Sequence, residues 1–486
     1  MSTKKILSNS LFYTLIAFLQ PSISFLLLPL YLKYLTPADY AVYNLMNYLS
    51  FFIGIIAAGR IYSSIYPFYY DQDKTNLNIK EFMGSIMVFT LISAILLLSI
   101  TILVGPFIFS LLFSNDIDFF PLGIYAIGAG ILLSISLPFQ VLFRNQKKFL
   151  TVGIIQLSLI FGSVSLQILF IVVLKEGVNG ALFAKLLAST IPVLLAVIFG
   201  LKEIKVSFKK SYLKRALSFT LPLIPFSIIT WFERFGDKFF LEHYVSLETL
   251  AAYSFLITIC LMIVMVSDAI LSVLQPFLYE LYSSSESGIS TVRINRYYTF
   301  YIFIPLVFSS FLILVGGQLP VFIDKSKYIE AIQYLPFAVL IYFLYSYIIL
   351  FRYNLMFYKK SIILTSTSFW SLIVLIISYI ALMPRFGIWG ALISNLMGFA
   401  LLFLLLLLQN RKALKLEINN YQFYFLPIGL AILTFLLHLL CTALKIPMSY
   451  YSFLQFIIVI SISYLTNKQK IFEIGAMVLS RKSGTM

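Results

Sequence analysis

Four charged residues lie within six positions of an otherwise apolar stretch, and their types could support ion or proton chemistry. Glu233, Arg234, Asp237 and Lys238 occur before the segment 217–253 has run the ~20 residues that a membrane-spanning helix requires. Charged side chains at that depth are unfavourable and usually have a function. Glu233 and Asp237 share one helix face at spacing i, i+4 and could carry a proton or hold Na⁺. Structural pairing of Asp237 with Arg234 at i, i+3 is the alternative interpretation.

Three further charges, Arg60, Lys185 and Asp268, lie in other apolar segments. Arg60 and Lys185, together with Arg234 and Lys238, form a set of cations that would attract an anion along a path through the membrane. The alternative for each cation is that its side chain extends to the lipid headgroups. We therefore predict Arg60, Lys185, Arg234 and Lys238 as an anion-binding path, and Glu233, Asp237 and Asp268 as coupling or gating residues.

Arg60 and Asp268 are predicted at matching depths in two different helices. At ~1.5 Å per residue, Arg60 lies about 10 Å before Pro67, and Asp268 lies about 12 Å before Pro276. If these helices face each other, the two side chains could pair when a cavity is closed on the inner side.

The composition places these charges in a membrane protein. Of 486 residues, 61% are hydrophobic and 11% are charged, and the mean hydropathy is +0.97, which no soluble domain of this size could carry on its surface. The net charge of +16 is scattered through short loops, so nucleic-acid binding is excluded. With two cysteines and two histidines, the sequence offers no metal-ligand spacing.

Apolar segments of about 20 residues predict an all-α polytopic protein with about fourteen spans. The spans are predicted near residues 11–32, 40–66, 82–104, 121–143, 150–174, 178–200, 217–240, 249–274, 297–319, 332–351, 361–383, 387–408, 422–442 and 449–466. Lys and Arg concentrate in alternate loops, of which 202–215 is the most basic, and this pattern predicts that those loops and both termini are cytoplasmic.

An internal repeat organises the spans. Residues 34–43 align with 244–253, and residues 177–182 align with 387–392, each at an offset of 210. Matches in the same order and at nearly constant spacing indicate a duplication of six helices, whose halves enter the membrane in the same sense. The predicted domains are an N-terminal six-helix bundle (1–205), a C-terminal six-helix bundle (206–415), and two additional spans with a cytoplasmic tail (416–486).

Three segments carry a resemblance to a known family: 35–43 (LTPADYAVY), 221–237 followed by Ala252 and Tyr253, and 386–391 (FGIWGA). They resemble the polysaccharide transporter branch of the multidrug/oligosaccharidyl-lipid/polysaccharide (MOP) flippase superfamily. The resemblance implies two bundles around a central cavity and export, by alternating access, of an undecaprenyl-diphosphate-linked oligosaccharide. The cargo would be an O-antigen, capsule or similar repeat unit, moved from the cytoplasmic to the outer leaflet of the bacterial cytoplasmic membrane.

The same resemblance implies which ligands and pathway partners the protein has. Lipid-linked oligosaccharide and membrane lipids are the expected ligands, a polysaccharide polymerase and glycosyltransferases are the expected pathway partners, and transport is expected to need no cofactor beyond a coupling Na⁺ or H⁺. Two alternatives stay open: a multidrug or organic-cation antiporter of the same superfamily, and an uncoupled lipid scramblase. An enzyme is not expected, because an O-antigen polymerase would need a large external loop with arginines, and every predicted external loop is short.

Overall fold

A computed structural model describes residues 25–70, 78–114, 117–283, 287–322, 326–358, 360–414, 421–447, 451–466 and 468. These residues form helices and connecting segments, and no strand occurs among them. The predicted class, an all-α polytopic membrane protein, is confirmed.

The α-helices are labelled in chain order. They are α1 Leu28–Tyr34, α2 Pro37–Ala58, α3 Ile65–Tyr70, α4 Ile79–Leu112, α5 Ile124–Asn145, α6 Phe149–Gln167, α7 Gly177–Gly200, α8 Lys210–Thr220, α9 Leu223–Leu241, α10 Leu247–Ser283, α11 Ser287–Phe322, α12 Ser326–Ile332, α13 Leu335–Phe357, α14 Ser361–Phe386, α15 Ile388–Leu414, α16 Leu426–Ala443 and α17 Tyr451–Thr466. Short 3₁₀ turns at Ile61–Ser64 and Leu201–Glu203, and wider helical turns at Phe119–Gly123, Ile168–Val173 and Tyr421–Phe425, flank them.

The span count is close to the predicted one in the described part of the chain. Eleven helical segments there are long and apolar enough to cross a membrane, and the pair α8 and α9, bent by 45°, would make twelve. The predicted span 11–32 lies mostly outside the described residues, and α17 is shorter than a full span. The number fourteen therefore stays a prediction.

The chain divides into two compact units, Met1–Ser254 and Phe255–Met486, with the boundary inside α10. The first unit therefore contains α9, which the repeat assigns to the second predicted bundle (206–415). The bundle boundaries at 205/206 and 415/416 remain a prediction from the repeat.

In the first unit, α2 is the central helix and packs against α4, α5, α7 and α9. Its start is fixed by Pro37 in the first turn and by the Thr36 hydroxyl, which accepts a hydrogen bond from the Asp39 amide at 3.1 Å. Tyr40 and Tyr48, 2% and 4% exposed, lie on its buried surface. This packing brings residues of α2 beside the charged helix α9.

Two glycines allow α2 and α5 to cross closely. A Cβ atom at Gly130 would lie 2.3 Å from the Ser50 carbonyl oxygen, and one at Gly54 would lie 3.4 Å from the Gly130 carbonyl oxygen. The backbones are thus in near contact, which small residues permit in membrane proteins.

We expect Gly130→Ala to destabilise the protein by about 1–3 kcal/mol, because the added methyl group must push against backbone rather than against a flexible side chain. The midpoint of thermal unfolding of the purified protein in detergent measures this effect. Gly429→Ala is the matched control, since a Cβ at Gly429 would meet nothing within 4 Å. An unchanged midpoint for Gly130→Ala would contradict the close crossing.

In the second unit, α13 is the most deeply buried span. Near its end, the Asn354 amide donates to the Tyr298 hydroxyl at 2.7 Å and to Asn410 Oδ1 at 3.0 Å, and its oxygen accepts from the Tyr282 hydroxyl at 2.7 Å. This network joins α10, α11, α13 and α15 through satisfied polar groups, which stabilise a buried polar cluster.

Candidate functional site

A break in the second predicted span positions Arg60. The segment 40–66 was predicted as one helix, which is wrong: α2 ends at Ala58, and Gly59 and Arg60 both adopt left-handed backbone conformations, with φ of 50° and 51°. Glycine is the usual residue at such a helix end, whereas a left-handed arginine is uncommon. The chain then continues as the 3₁₀ turn Ile61–Ser64 and α3.

The Arg60 guanidinium has neutral neighbours. Its Nη1 donates to the Ser227 hydroxyl of α9 at 2.6 Å, and it lies 6.0 Å from the centre of the Tyr62 ring. Its Nε is buried without a hydrogen-bond partner in the described part of the chain. Asp268, the predicted partner, is half-buried in α10 within the second unit, and the predicted gate between the two residues stays a prediction.

Lys185 is the second cation with neutral neighbours. It lies about 12 Å along α7 from Gly177, well inside the span. Its Nζ donates to Asn47 Oδ1 at 2.6 Å and lies 5.3 Å from the centre of the Phe51 ring. Among the described residues, no carboxylate lies within ion-pair distance of this amine. The residue as a whole is half-buried.

Lys238 differs, because its charge is neutralised. Its Nζ lies 2.7 Å from Asp237 Oδ1 and donates to the Arg234 carbonyl at 3.1 Å, while the Tyr253 hydroxyl donates to Asp237 Oδ2 at 2.6 Å. The Lys238 and Asp237 side chains are 0% and 1% exposed. Instead of extending to the headgroups, Lys238 is held in a closed ion pair.

Aromatic rings complete the surroundings of that pair. The Lys238 amine lies 5.4, 5.9 and 5.8 Å from the ring centres of Tyr48, Phe235 and Tyr253. These contacts are in the range of cation–π interactions, which add to the stabilisation of a desolvated cation. The pair was not predicted, because adjacent residues on a helix do not normally face each other. Its neighbours Tyr48 and Tyr253 lie on other helices, so spacing within α9 could not predict them.

The remaining charges of α9 lie beside the pair. Glu233 is 2% exposed, and Arg234 is half-buried. All of the predicted site residues except Asp268 therefore lie in the first unit. Asn47 and Ser227 were not among the predicted site residues; the signal for them is a polar side chain within an apolar predicted span.

The first unit thus presents two cations with neutral partners: Lys185 beside Asn47 of α2, and Arg60 just after the end of α2. Asn47, which binds Lys185, precedes Ala58, the last residue of α2, by eleven residues. These two positions, which mark the levels of Lys185 and Arg60, are therefore about 17 Å apart along the axis of α2. Cations with neutral partners inside a span attract anions strongly, because the surroundings have a low dielectric constant. In the described ranges, no group of three His, Cys, Asp or Glu side chains could hold a metal ion.

Comparison with known proteins gives both a family and a fold. The family model described as "Polysaccharide biosynthesis protein" matches residues 33–293. A search of curated protein sequences gives no match.

Three solved structures show the fold. The lipid II flippase MurJ in an inward closed conformation has a TM-score of 0.68 at 14% identity, covering 95% of this chain and 98% of that one. An inward-facing multidrug resistance MATE family transporter of the MOP superfamily has a TM-score of 0.62 at 15% identity, with coverages of 83% and 98%. A MOP superfamily transporter from Pyrococcus furiosus, described as having a binding pocket of reverse polarity, has a TM-score of 0.55 at 16% identity, with coverages of 84% and 95%.

The family match confirms the predicted polysaccharide family, and the similar structures confirm the predicted fold. The structures that this chain resembles are described as a flippase and a multidrug transporter, not as enzymes.

Proposed function

Because the chain belongs to the polysaccharide biosynthesis protein family, we propose that it is a flippase for an undecaprenyl-diphosphate-linked oligosaccharide. The cargo is an O-antigen, capsule or similar repeat unit, which moves by alternating access from the cytoplasmic to the outer leaflet. The observation that carries this proposal is the pair of cations with neutral partners, Arg60 and Lys185, inside the first unit. A diphosphate needs such cations within the membrane thickness, while its polyprenyl chain can stay in lipid.

The setting follows from the same proposal. The protein lies in the bacterial cytoplasmic membrane with both termini in the cytoplasm, as the distribution of Lys and Arg in the loops favours. Glycosyltransferases supply the lipid-linked oligosaccharide, and a polymerase receives it on the other side. Coupling to Na⁺ or H⁺ falls to the acidic residues Glu233 and Asp268, since the ion pair and hydrogen bond of Asp237 favour a structural role for it.

The proposal is tested with the purified full-length chain in vesicles that contain a fluorescent undecaprenyl-diphosphate-linked oligosaccharide. We expect labelled lipid to move between the two leaflets faster in vesicles that contain the protein than in vesicles without it. A membrane-impermeant quencher, which reaches only the outer leaflet of the vesicle, measures this movement. Efflux of a cationic dye without movement of the lipid would instead indicate a multidrug antiporter. Lipid movement that persists after collapse of both the Na⁺ and H⁺ gradients would indicate an uncoupled scramblase.

We expect Arg60→Asn to slow this lipid movement by about tenfold or more, because loss of a charge-assisted hydrogen bond to a phosphate removes about 1.5–3 kcal/mol. Asparagine tolerates the left-handed conformation that residue 60 requires, so the backbone stays unstrained. Arg60→Lys is the control. It keeps the charge, and lysine already adopts positive φ in this chain at Lys147, Lys175 and Lys445. Equal rates for both variants would exclude a role for the Arg60 charge.

A further inference from the structure

Four aromatic side chains form a continuous surface between α2 and α9, which we name the aromatic seam: Phe51, Phe52, Trp231 and Phe235. The Phe52 and Trp231 ring centres are 4.6 Å apart, those of Trp231 and Phe235 are 6.2 Å apart, and those of Phe51 and Phe235 are 6.1 Å apart. The last pair is close to parallel, with 21° between the ring planes. Such distances are those of interacting aromatic rings.

The seam is held in place from behind. Trp231 Nε1 donates to the Tyr48 carbonyl of α2 at 3.0 Å, and the Tyr48 ring stacks on Phe235 with centres 4.5 Å apart. Because Tyr48 is only 4% exposed, both anchors lie in the interior of the first unit. The seam is therefore a rigid surface, which loses little entropy when a ligand binds.

One end of the seam is open and lies beside a cation. Phe51 is 45% exposed, and the Lys185 amine lies 5.3 Å from its ring centre. A charged amine inside a span faces protein or water rather than hydrocarbon. The Lys185 amine, bound to Asn47, therefore places a polar group beside the exposed Phe51 ring.

We propose that Lys185 and the aromatic seam together bind a glycosyl diphosphate. This inference rests on the proposed function and extends it to the position of the headgroup. The Lys185 amine binds a phosphate oxygen, and the apolar C–H face of the first sugar packs on the exposed Phe51 ring. A phosphate is bound by a cation, and the sugar next to it is bound by an aromatic face. Lys185 and Phe51 are close enough to bind both groups of one ligand.

Two soluble probes separate the contributions: a short-chain prenyl diphosphate, and the same diphosphate carrying one N-acetylglucosamine. Their dissociation constants for the purified full-length protein are measured by tryptophan fluorescence or calorimetry. We expect Phe51→Leu to weaken binding of the sugar-bearing probe by about three- to tenfold, as loss of one aromatic contact predicts, without affecting the sugar-free probe. Lys185→Met should weaken both probes.

Two control variants are used: one keeps an aromatic ring at position 51, and the other removes a phenylalanine ring elsewhere. Phe51→Tyr retains the aromatic face and should bind both probes as the wild type does. Phe161→Leu changes another exposed phenylalanine, on α6, and should have no effect. If Phe51→Leu binds the sugar-bearing probe normally, the subsite is wrong while the flippase proposal stands. If the wild type binds neither probe, the proposed function itself fails.

Discussion

Replacing Lys185 with methionine is expected to slow transport of the lipid-linked oligosaccharide by about ten- to hundredfold while leaving the protein folded. The residue is half-buried, and its amine donates to the neutral Asn47 oxygen at 2.6 Å and has no carboxylate partner among the described residues. Its interaction with a phosphate would be a charge-assisted hydrogen bond, worth about 1.5–3 kcal/mol. Stability should fall only modestly: no opposite charge is left unpaired, but the buried Asn47 Oδ1 loses its donor.

Initial rates of lipid movement in vesicles, together with the midpoint of thermal unfolding, test this expectation. Lys33→Met is the control, since Lys33 is an exposed lysine at the end of α1 and belongs to no predicted site. A wild-type rate for Lys185→Met would remove Lys185 from the anion path. A slow rate accompanied by a large drop in the unfolding midpoint would show that the effect is structural.

Replacing Asp237 with alanine is expected to destabilise the protein by about 3–5 kcal/mol. The substitution leaves the fully buried Lys238 amine without its carboxylate, and it also removes the acceptor of the Tyr253 hydroxyl. An uncompensated buried charge is among the most destabilising changes in a protein. The thermal unfolding midpoint in detergent should fall accordingly, and transport should be lost with the fold.

The double replacement Asp237→Ala with Lys238→Met distinguishes the ion pair from general packing. It also removes the charge that Asp237→Ala leaves without its carboxylate, so part of the lost stability should return. Glu176→Ala, at an exposed acid before α7, should leave stability unchanged. A double variant as unstable as Asp237→Ala would show that the two side chains do not act as a pair. A stable double variant that no longer moves lipid would return Asp237 to the proposed coupling residues.

Hydropathy alone predicted most of the membrane helices, since length and apolar composition decide whether a segment can span. It could not locate the break at Gly59 and Arg60, because a hydropathy window carries no information on the sign of φ. Gly59 within a helical pattern was the available signal, since glycine commonly ends helices. The sequence left two possibilities for residues 107–113, an extension of the third span past Gly105 and Pro106 or an interfacial segment, and the helix α4 continues to Leu112.

The site was predictable as a set of charges but not as a set of contacts. The unfavourable transfer of charged residues into a membrane identifies Lys185 and Lys238 equally well from the sequence. Their difference lies in their partners. Asn47, 138 residues earlier in the chain, binds Lys185, whereas the adjacent Asp237 binds Lys238, whose amine also lies against the rings of Tyr48 and Tyr253. Contacts between residues so far apart in the chain arise from helix packing, which spacing rules within one helix cannot supply.

The closed ion pair of α9 also bears on how this helix enters the membrane during synthesis. Asp, Lys and Arg near the centre of a span each disfavour insertion by about 2.5–3.5 kcal/mol, and α9 meets the criteria for a span only together with α8. One of the rings that contacts Lys238 belongs to Tyr48 on α2, which is synthesised earlier. Because α2 precedes α9 in the chain, the order of translation makes this ring available before the charged helix is made.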